Sequence, residues 1–417
     1  MRYPNRQQLI FFFCCVLLAS IIYSPYLLSV SMFMLSGLCL FCVQDGRLAF
    51  DREGISRMFH IYRYPVFTAV TLFFFVVFLS FWQTEDSVYW LERLRIKVPF
   101  LVFPLVFLAL PRFTARQIDG LFYALLLMLT LTSIGIGVNY LLHADAINAQ
   151  MLTGKPMPTP RNHIRLSLLM AVGIIGGAWL YRKRFYWRYP GERKLIGFCT
   201  IFLFVFIHVL AVRSGLLTLY AAIVVLLIRH ILKTQYYKPA LAVLLALFLL
   251  PIGAYFAFPS LQSKLDYMRY DLMMYSSNGG AYYADSGRIT SLKVGWDIWE
   301  RYPVFGAGAG NLKREVQQEF DAHYPGFEQA LMPHNQFLFV AAGTGVVGLV
   351  LFLYAFFYPL FYRKNYRNDL LLAFYTISFT AFLIEHTIEN SLGVGFFVFF
   401  LTLFLNHLNL EGMNSAP

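Results

Sequence analysis

The stretch 335–360, "NQFLFVAAGTGVVGLVLFLYAFFYPL", contains no formal charge. As a helix it is long enough to cross a bilayer, which takes about 20 apolar residues. Similar runs recur along the chain, and they constrain its fold more than any other feature. Backbone inside lipid must satisfy its own hydrogen bonds, so such runs become helices. We read about twelve spans on this length criterion, near residues 9–23, 27–43, 64–82, 97–111, 117–142, 163–180, 195–212, 215–231, 239–258, 335–360, 369–384 and 391–407. Merging the first pair would leave eleven. Composition agrees: 59% of the 417 residues are hydrophobic and 13% are charged, more apolar surface than a soluble domain can bury. The expected fold class is an all-α polytopic membrane protein.

Basic residues orient the spans. With the N-terminus inside, 20 of the 34 lysines and arginines fall on the inner face, and half of the other 14 lie in one long loop. Long loops count little in this rule, so both termini are expected to be cytoplasmic. The formal charge of +12 then reports topology and not nucleic-acid binding. The N-terminal "MRYPNRQQLIFFFCCVLLAS" has a signal peptide's charged head and apolar body. A second apolar run follows at once, which favours an uncleaved hairpin around "SPY". The five cysteines lie in apolar runs, and "CLFC" at 39–42 has no second pair, so we read them as apolar fillers.

The long loop, 259–334, divides the chain into spans before it (1–258) and after it (335–417). It carries seven basic and nine acidic residues, so it should fold into a small helical cap on the outer face. Ile289, Leu292, Trp296 and Trp299 fall at helical spacing, with Asp285 or Ser286 as cap and Pro303 as terminator. Arg288 then sits in the first turn, where a cation is unfavourable unless an anion is near. An anionic ligand, or a pairing with Asp285 or another cap carboxylate, would meet that need. "FGAGAG" (305–310) follows no strand and lacks the Lys-Ser/Thr of a P-loop; it reads as a tight turn.

Other polar residues gather at the outer ends of spans. Arg213, in "HVLAVRSGLLTLY", sits at a tight reversal and reads as an anion contact. Arg161, His163 and Arg165, in "PTPRNHIRLSL", are further anion contacts or interfacial anchors. "LIEHTIENSLG" places Glu385, His386, Glu389 and Asn390 at the last outer turn; His386 and Glu389 have i, i+3 spacing, but a metal needs more ligands, and no metal is expected. His334 and Asn335 open the run at 335–360. A histidine there suits a general base or hydrogen-bond donor. It equally suits a helix cap with Asn335 supporting the turn, and both readings stay open on the residues alone.

Three segments carry a resemblance: "VRSG" (212–215), "SGR" (286–288) followed by "GWDIWERYPVFGAGAGN", and "PHNQFLFVAAGTGVVG" (333–348). In order, spacing and membrane side they resemble the O-antigen ligase and polymerase superfamily of the bacterial inner membrane. The resemblance implies a GT-C-type glycosyltransferase with one large helical periplasmic loop. It implies a glycan donor on undecaprenyl diphosphate and, in a ligase, a sugar hydroxyl of lipid A–core as acceptor. Transfer would be inverting, without metal or other cofactor, with Arg213 and Arg288 on the diphosphate and His334 assisting the acceptor. Arg161, Arg165, Asn335 and Glu389 enter only as possible further contacts. A polymerase extending a lipid-linked glycan displaces the same leaving group, so these motifs do not separate the two. A twelve-span transporter is the rival of another class; it predicts related halves and charges at the midplane, and no internal repeat is present.

Overall fold

The computed structural model describes residues 5–44, 47–235, 237–278, 284–324, 327 and 329–410. Within them the protein is all α apart from one small antiparallel hairpin, Phe41–Gln44 with Arg47–Phe50. Among the described residues, eight helices are long and apolar enough to cross a membrane, the longest being Ala115–Leu142 and the Gln336–Arg367 stretch. A ninth candidate, Leu241–Ala257 with Pro259–Tyr275, bends by 98° between its halves.

The remaining expected spans are helical but differ in kind. Pro25–Leu40 and Asp369–Ile384 are apolar yet shorter than a full crossing. Helix Ser87–Ala109 contains the segment near 97–111, but its first half carries Glu92, Arg93, Arg95 and Lys97. The first two runs do not merge. Ser24 ends one helix and caps the next, accepting from Leu27 N at 3.3 Å, and Pro25 opens the second at the position where a missing N–H costs nothing.

Helix Ser391–Asn409 lies at the centre of the bundle. Its sequence "GVGFFVFFLTLFLN" is apolar all round, which suits a helix surrounded by others, and Val394 to Leu405 are all buried. Phe397 stacks on Phe356 and Phe374 at centroid distances of 5.8 and 5.7 Å and meets Phe73 edge-on at 5.6 Å. Such aromatic contacts supply packing where lipid removes the hydrophobic drive between helices.

Among the described residues, the segment 259–334 holds three helices, Pro259–Asn278, Ala284–Arg301 and Leu312–His323. Val294, Ile298, Leu312, Val316 and Phe320 form a separate core there, joined by Phe339 and Ala342 of the helix Gln336–Phe361. The glycine-rich turn makes this junction. Gly306 and Gly308 have positive φ, and Gly345 (φ +64°) interrupts the facing helix. The amides freed by that break, Val346 and Val347, donate to the carbonyls of Pro303 and Val304 at 2.9 and 3.2 Å. A Cβ on Gly345 would lie 2.2 Å from the Val304 carbonyl carbon, so the turn and the break require each other.

The expected amphipathic face of the cap helix is not its buried face. Trp296 is half exposed and packs edge-on against Trp299 on the outside. The buried face is Ser286, Thr290, Ser291, Val294 and Ile298, with Gly295 against Pro333. Small residues face inward because the helix packs closely onto the chain leading to Asn335, and the indoles are left for the surface, as in an interfacial belt.

Candidate active site

Three neighbouring helices bring polar ends together. His163–Arg182, Arg213–Thr234 and Asp369–Ile384 pack side by side. Gly215 permits the approach: a Cβ there would lie 2.3 Å from the Ser167 side chain. Ala211, in the left-handed conformation, turns the chain sharply so that Arg213 begins its helix. Residues 163–165, Arg213 and the turn after Ile384 therefore share one end of the bundle, with the cap helix Ala284–Arg301 above them.

That cap helix presents Asp285, Arg288 and Ser291 at three-residue spacing, one helix face. Each meets a different partner. Asp285 accepts from Arg213 at 2.5 Å, Arg288 donates to Glu385 at 2.7 Å, and Ser291 meets the ring of His334 at 3.2 Å. The helix start is capped from a distance: buried Asp271 accepts from the Asp285 N–H at 2.6 Å and from the Ser286 hydroxyl at 2.7 Å. The expected local cap is thus replaced by a carboxylate on the preceding helix.

Arg213 and Arg288 line one cavity of about 170 Å³, together with Lys264 and His163. Two guanidiniums and an ammonium around so small a space concentrate positive charge there. Asp285 and Glu385 hold the two arginines in place while leaving donors free.

His334 stands beside this cavity and does not cap the helix. Asn335 does that, accepting from Leu338 N at 3.0 Å while its amide donates to Leu383 O at 3.0 Å. The Ser291 hydroxyl donates to Arg288 O at 2.7 Å and accepts from His334 N at 3.3 Å. With Nδ1 of His334 as donor to the same hydroxyl at 3.2 Å, Nε2 keeps a lone pair. Burial pushes the pKa of His334 down to about 4, opposed by Glu385 and reinforced by His386 and Arg288. The ring is neutral at pH 7, the state a base needs.

Arg165 is buried and donates to Thr387 O at 2.9 Å. Its Nε and Nη1 have no hydrogen-bond partner among the described residues. Arg161 is exposed on the turn before His163 and does not line the cavity. Glu389 lies deeper, with one carboxylate oxygen held by Lys97 and by the Gln336 amide, both at 2.6 Å. Burial works against its charge, yet Lys97, Gln336 and Arg93 outweigh that and hold its carboxyl below the usual range. That network fixes the turn 385–390 to two helices. His334, Glu385 and His386 bring one ligand atom each within 4.8 Å of one another, a set with metal-ligand chemistry that excludes Glu389. Arg288 already occupies the Glu385 carboxylate.

Arg213, Arg288 and His334 thus converge from three separate elements, and their order along the chain is that of the three quoted motifs. Residues 198–353 match the family model for O-antigen ligase. The matched O-antigen ligase segment contains Arg213, Arg288, His334 and Asn335, and ends within the helix broken at Gly345. Arg165, Glu385 and Glu389 lie outside it. No curated protein matches the chain. The superfamily resemblance is borne out over residues 198–353, and the chain is a multi-pass membrane protein with an O-antigen ligase-like segment.

Sequence reasoning left some neighbours of the site unassigned. Glu385 and His163 were visible as polar residues at span ends, but nothing local gave their partners. Lys264 and Ser291 left no signal, because one lies in an ordinary polar helix and the other resembles any cap-helix serine.

Proposed function

We propose that the protein is a GT-C-type glycosyltransferase that moves a glycan from undecaprenyl diphosphate to a sugar hydroxyl of lipid A–core. It acts at the periplasmic face of a bacterial inner membrane, with both termini cytoplasmic. The observation that carries this reading is the cavity shared by Arg213, Arg288 and Lys264, with His334 joined to the same cap helix through Ser291.

The acceptor oxygen attacks the anomeric carbon from the face opposite the diphosphate, so the carbon inverts. The bond from that carbon to the diphosphate oxygen breaks, and the electron pair leaves with the diphosphate. Arg213, Arg288 and Lys264 meet the growing charge, as preorganised donors do in a partly dry site. The acceptor's proton passes to Nε2 of His334. A bound diphosphate beside Arg288 also offsets the charges that depress this histidine, making it a stronger base in the complex than in the free protein. Arg165, with two unsatisfied donors, supplies a further contact to donor or acceptor oxygens; Asn335 acts by fixing the helix start that carries His334.

The test is transfer in proteoliposomes supplied with undecaprenyl-diphosphate glycan and lipid A–core, with products resolved by mass. Glycan on lipid A–core with wild type and not with His334→Ala supports the ligase. A lengthened lipid-linked glycan would make the protein a polymerase, and an undiminished His334→Ala would remove the assigned base.

A further inference from the structure

The three helices that deliver site residues at one end enclose a second cavity at the other. It measures about 380 Å³ and lies among the last turns of His163–Arg182 and Arg213–Thr234 and the first turn of Asp369–Ile384. Its lining is sorted by depth. Ile175, Ala178 and Leu226 form the apolar walls toward the middle of the bundle, and Arg182, His230 and Lys233 stand at the rim.

The rim cations differ in availability. Arg229 is committed: it bonds Asp369 at 2.8 Å and donates to the carbonyls of Tyr366 and Arg367. Arg182 is largely exposed, lies over the Trp179 ring at 5.5 Å and reaches Asp369 only at 3.5 Å. The side chains of Lys233 and His230 are exposed and, among the described residues, make no hydrogen bond or ion pair. Asp369 therefore balances Arg229 and leaves Arg182 and Lys233 as uncompensated charge above an apolar slot.

We propose that this cavity binds an anionic phospholipid of the leaflet opposite the candidate active site. Its phosphate sits between Arg182 and Lys233, and one acyl chain runs along Ile175 and Leu226. The chemistry recognised is the net negative charge of a phosphodiester headgroup; the apolar walls distinguish a lipid from a soluble phosphate. The site stands apart from the transfer chemistry and does not depend on it.

Native mass spectrometry of the full chain in detergent tests this, with phosphatidylglycerol, phosphatidylcholine and soluble glycerol 3-phosphate as probes. Wild type should retain phosphatidylglycerol over phosphatidylcholine and should not lose it to excess glycerol 3-phosphate. Each basic side chain near a membrane surface contributes roughly fivefold in binding, so Arg182→Ala/Lys233→Ala should weaken retention about twenty-five-fold. Arg184→Ala, an exposed cation outside the cavity, should change it little. Equal retention of the two lipids, displacement by glycerol 3-phosphate, an unaffected double variant, or an equal loss in Arg184→Ala would each overturn the assignment.

Discussion

Arg288 and Glu385 meet at 2.7 Å, joining the first turns of the cap helix to the turn after Ile384. The carboxylate is buried while the guanidinium remains about one-third exposed on the cavity side. Glu385 therefore orients Arg288 without consuming it. Arg288→Ala should reduce transfer by about 10²–10³, as loss of one preorganised donor typically does. Arg213→Ala should act alike, because the two line the same cavity. Rates in proteoliposomes, with insertion checked independently, decide the matter; wild-type turnover in either variant would remove the assigned role.

The half-buried position of His334 gives a pH prediction. Its pKa near 4 means that the charged form is disfavoured, so Nε2 is available above that pH and is lost as pH falls through it. The profile of kcat/KM reports the free enzyme. Its acid limb should fall near pH 4, well below the value of about 6.5 for a solvated histidine. A limb centred near the solvated value in wild type would show that the ring is not desolvated.

These residues differ in how legible they were. Arg213 and His334 stood out because each places a polar or charged group where an apolar run begins or ends, and Arg288 because it puts a cation in a helix's first turn. Their convergence did not, because it depends on a cap helix folding back over three bundle helices. Glu385 was visible as a residue, but its partner lies 97 positions away and no local pattern joins them. The cap helix misled for a related reason. Spacing put its large side chains on one face without saying what that face meets, and close packing against Pro333 buried the small ones instead. Periodicity reports which residues share a face and cannot say which face meets protein when lipid or headgroups also welcome tryptophan.

Lys97 and Glu389 form a buried pair at 2.6 Å, about 5% exposed on each side. Removing one partner of such a pair leaves an uncompensated charge and typically costs about 3–5 kcal/mol, whereas replacing both with apolar groups is often neutral. Lys97→Met and Glu389→Leu should each lower the unfolding temperature in detergent, and the double variant should recover most of the loss. A double variant as unstable as the sum of the singles would show that the two do not act as a pair.

Gly345 holds the break on which the glycine-rich turn rests. Alanine there must adopt φ near +64° and place a Cβ 2.2 Å from the Val304 carbonyl carbon. Backbone strain of this kind alone costs of order 1–3 kcal/mol, and the clash adds to it. Gly345→Ala should loosen the junction between cap and membrane helix, seen as faster proteolysis within 301–312. Unchanged protection would mean that the break tolerates a side chain.

The cluster of His334, Glu385 and His386 sharpens the question of metal. Two histidines and a glutamate are a zinc-like donor set. A cation between them would compete with Arg288 for Glu385 and face its positive charge, and would take from His334 the lone pair that the proposed proton transfer needs. Transfer should therefore be unchanged after EDTA treatment and dialysis. Activity lost on chelation and restored by a divalent ion would replace the base reading of His334 with a metal-ligand one, and Arg288 would then be the group that metal must displace.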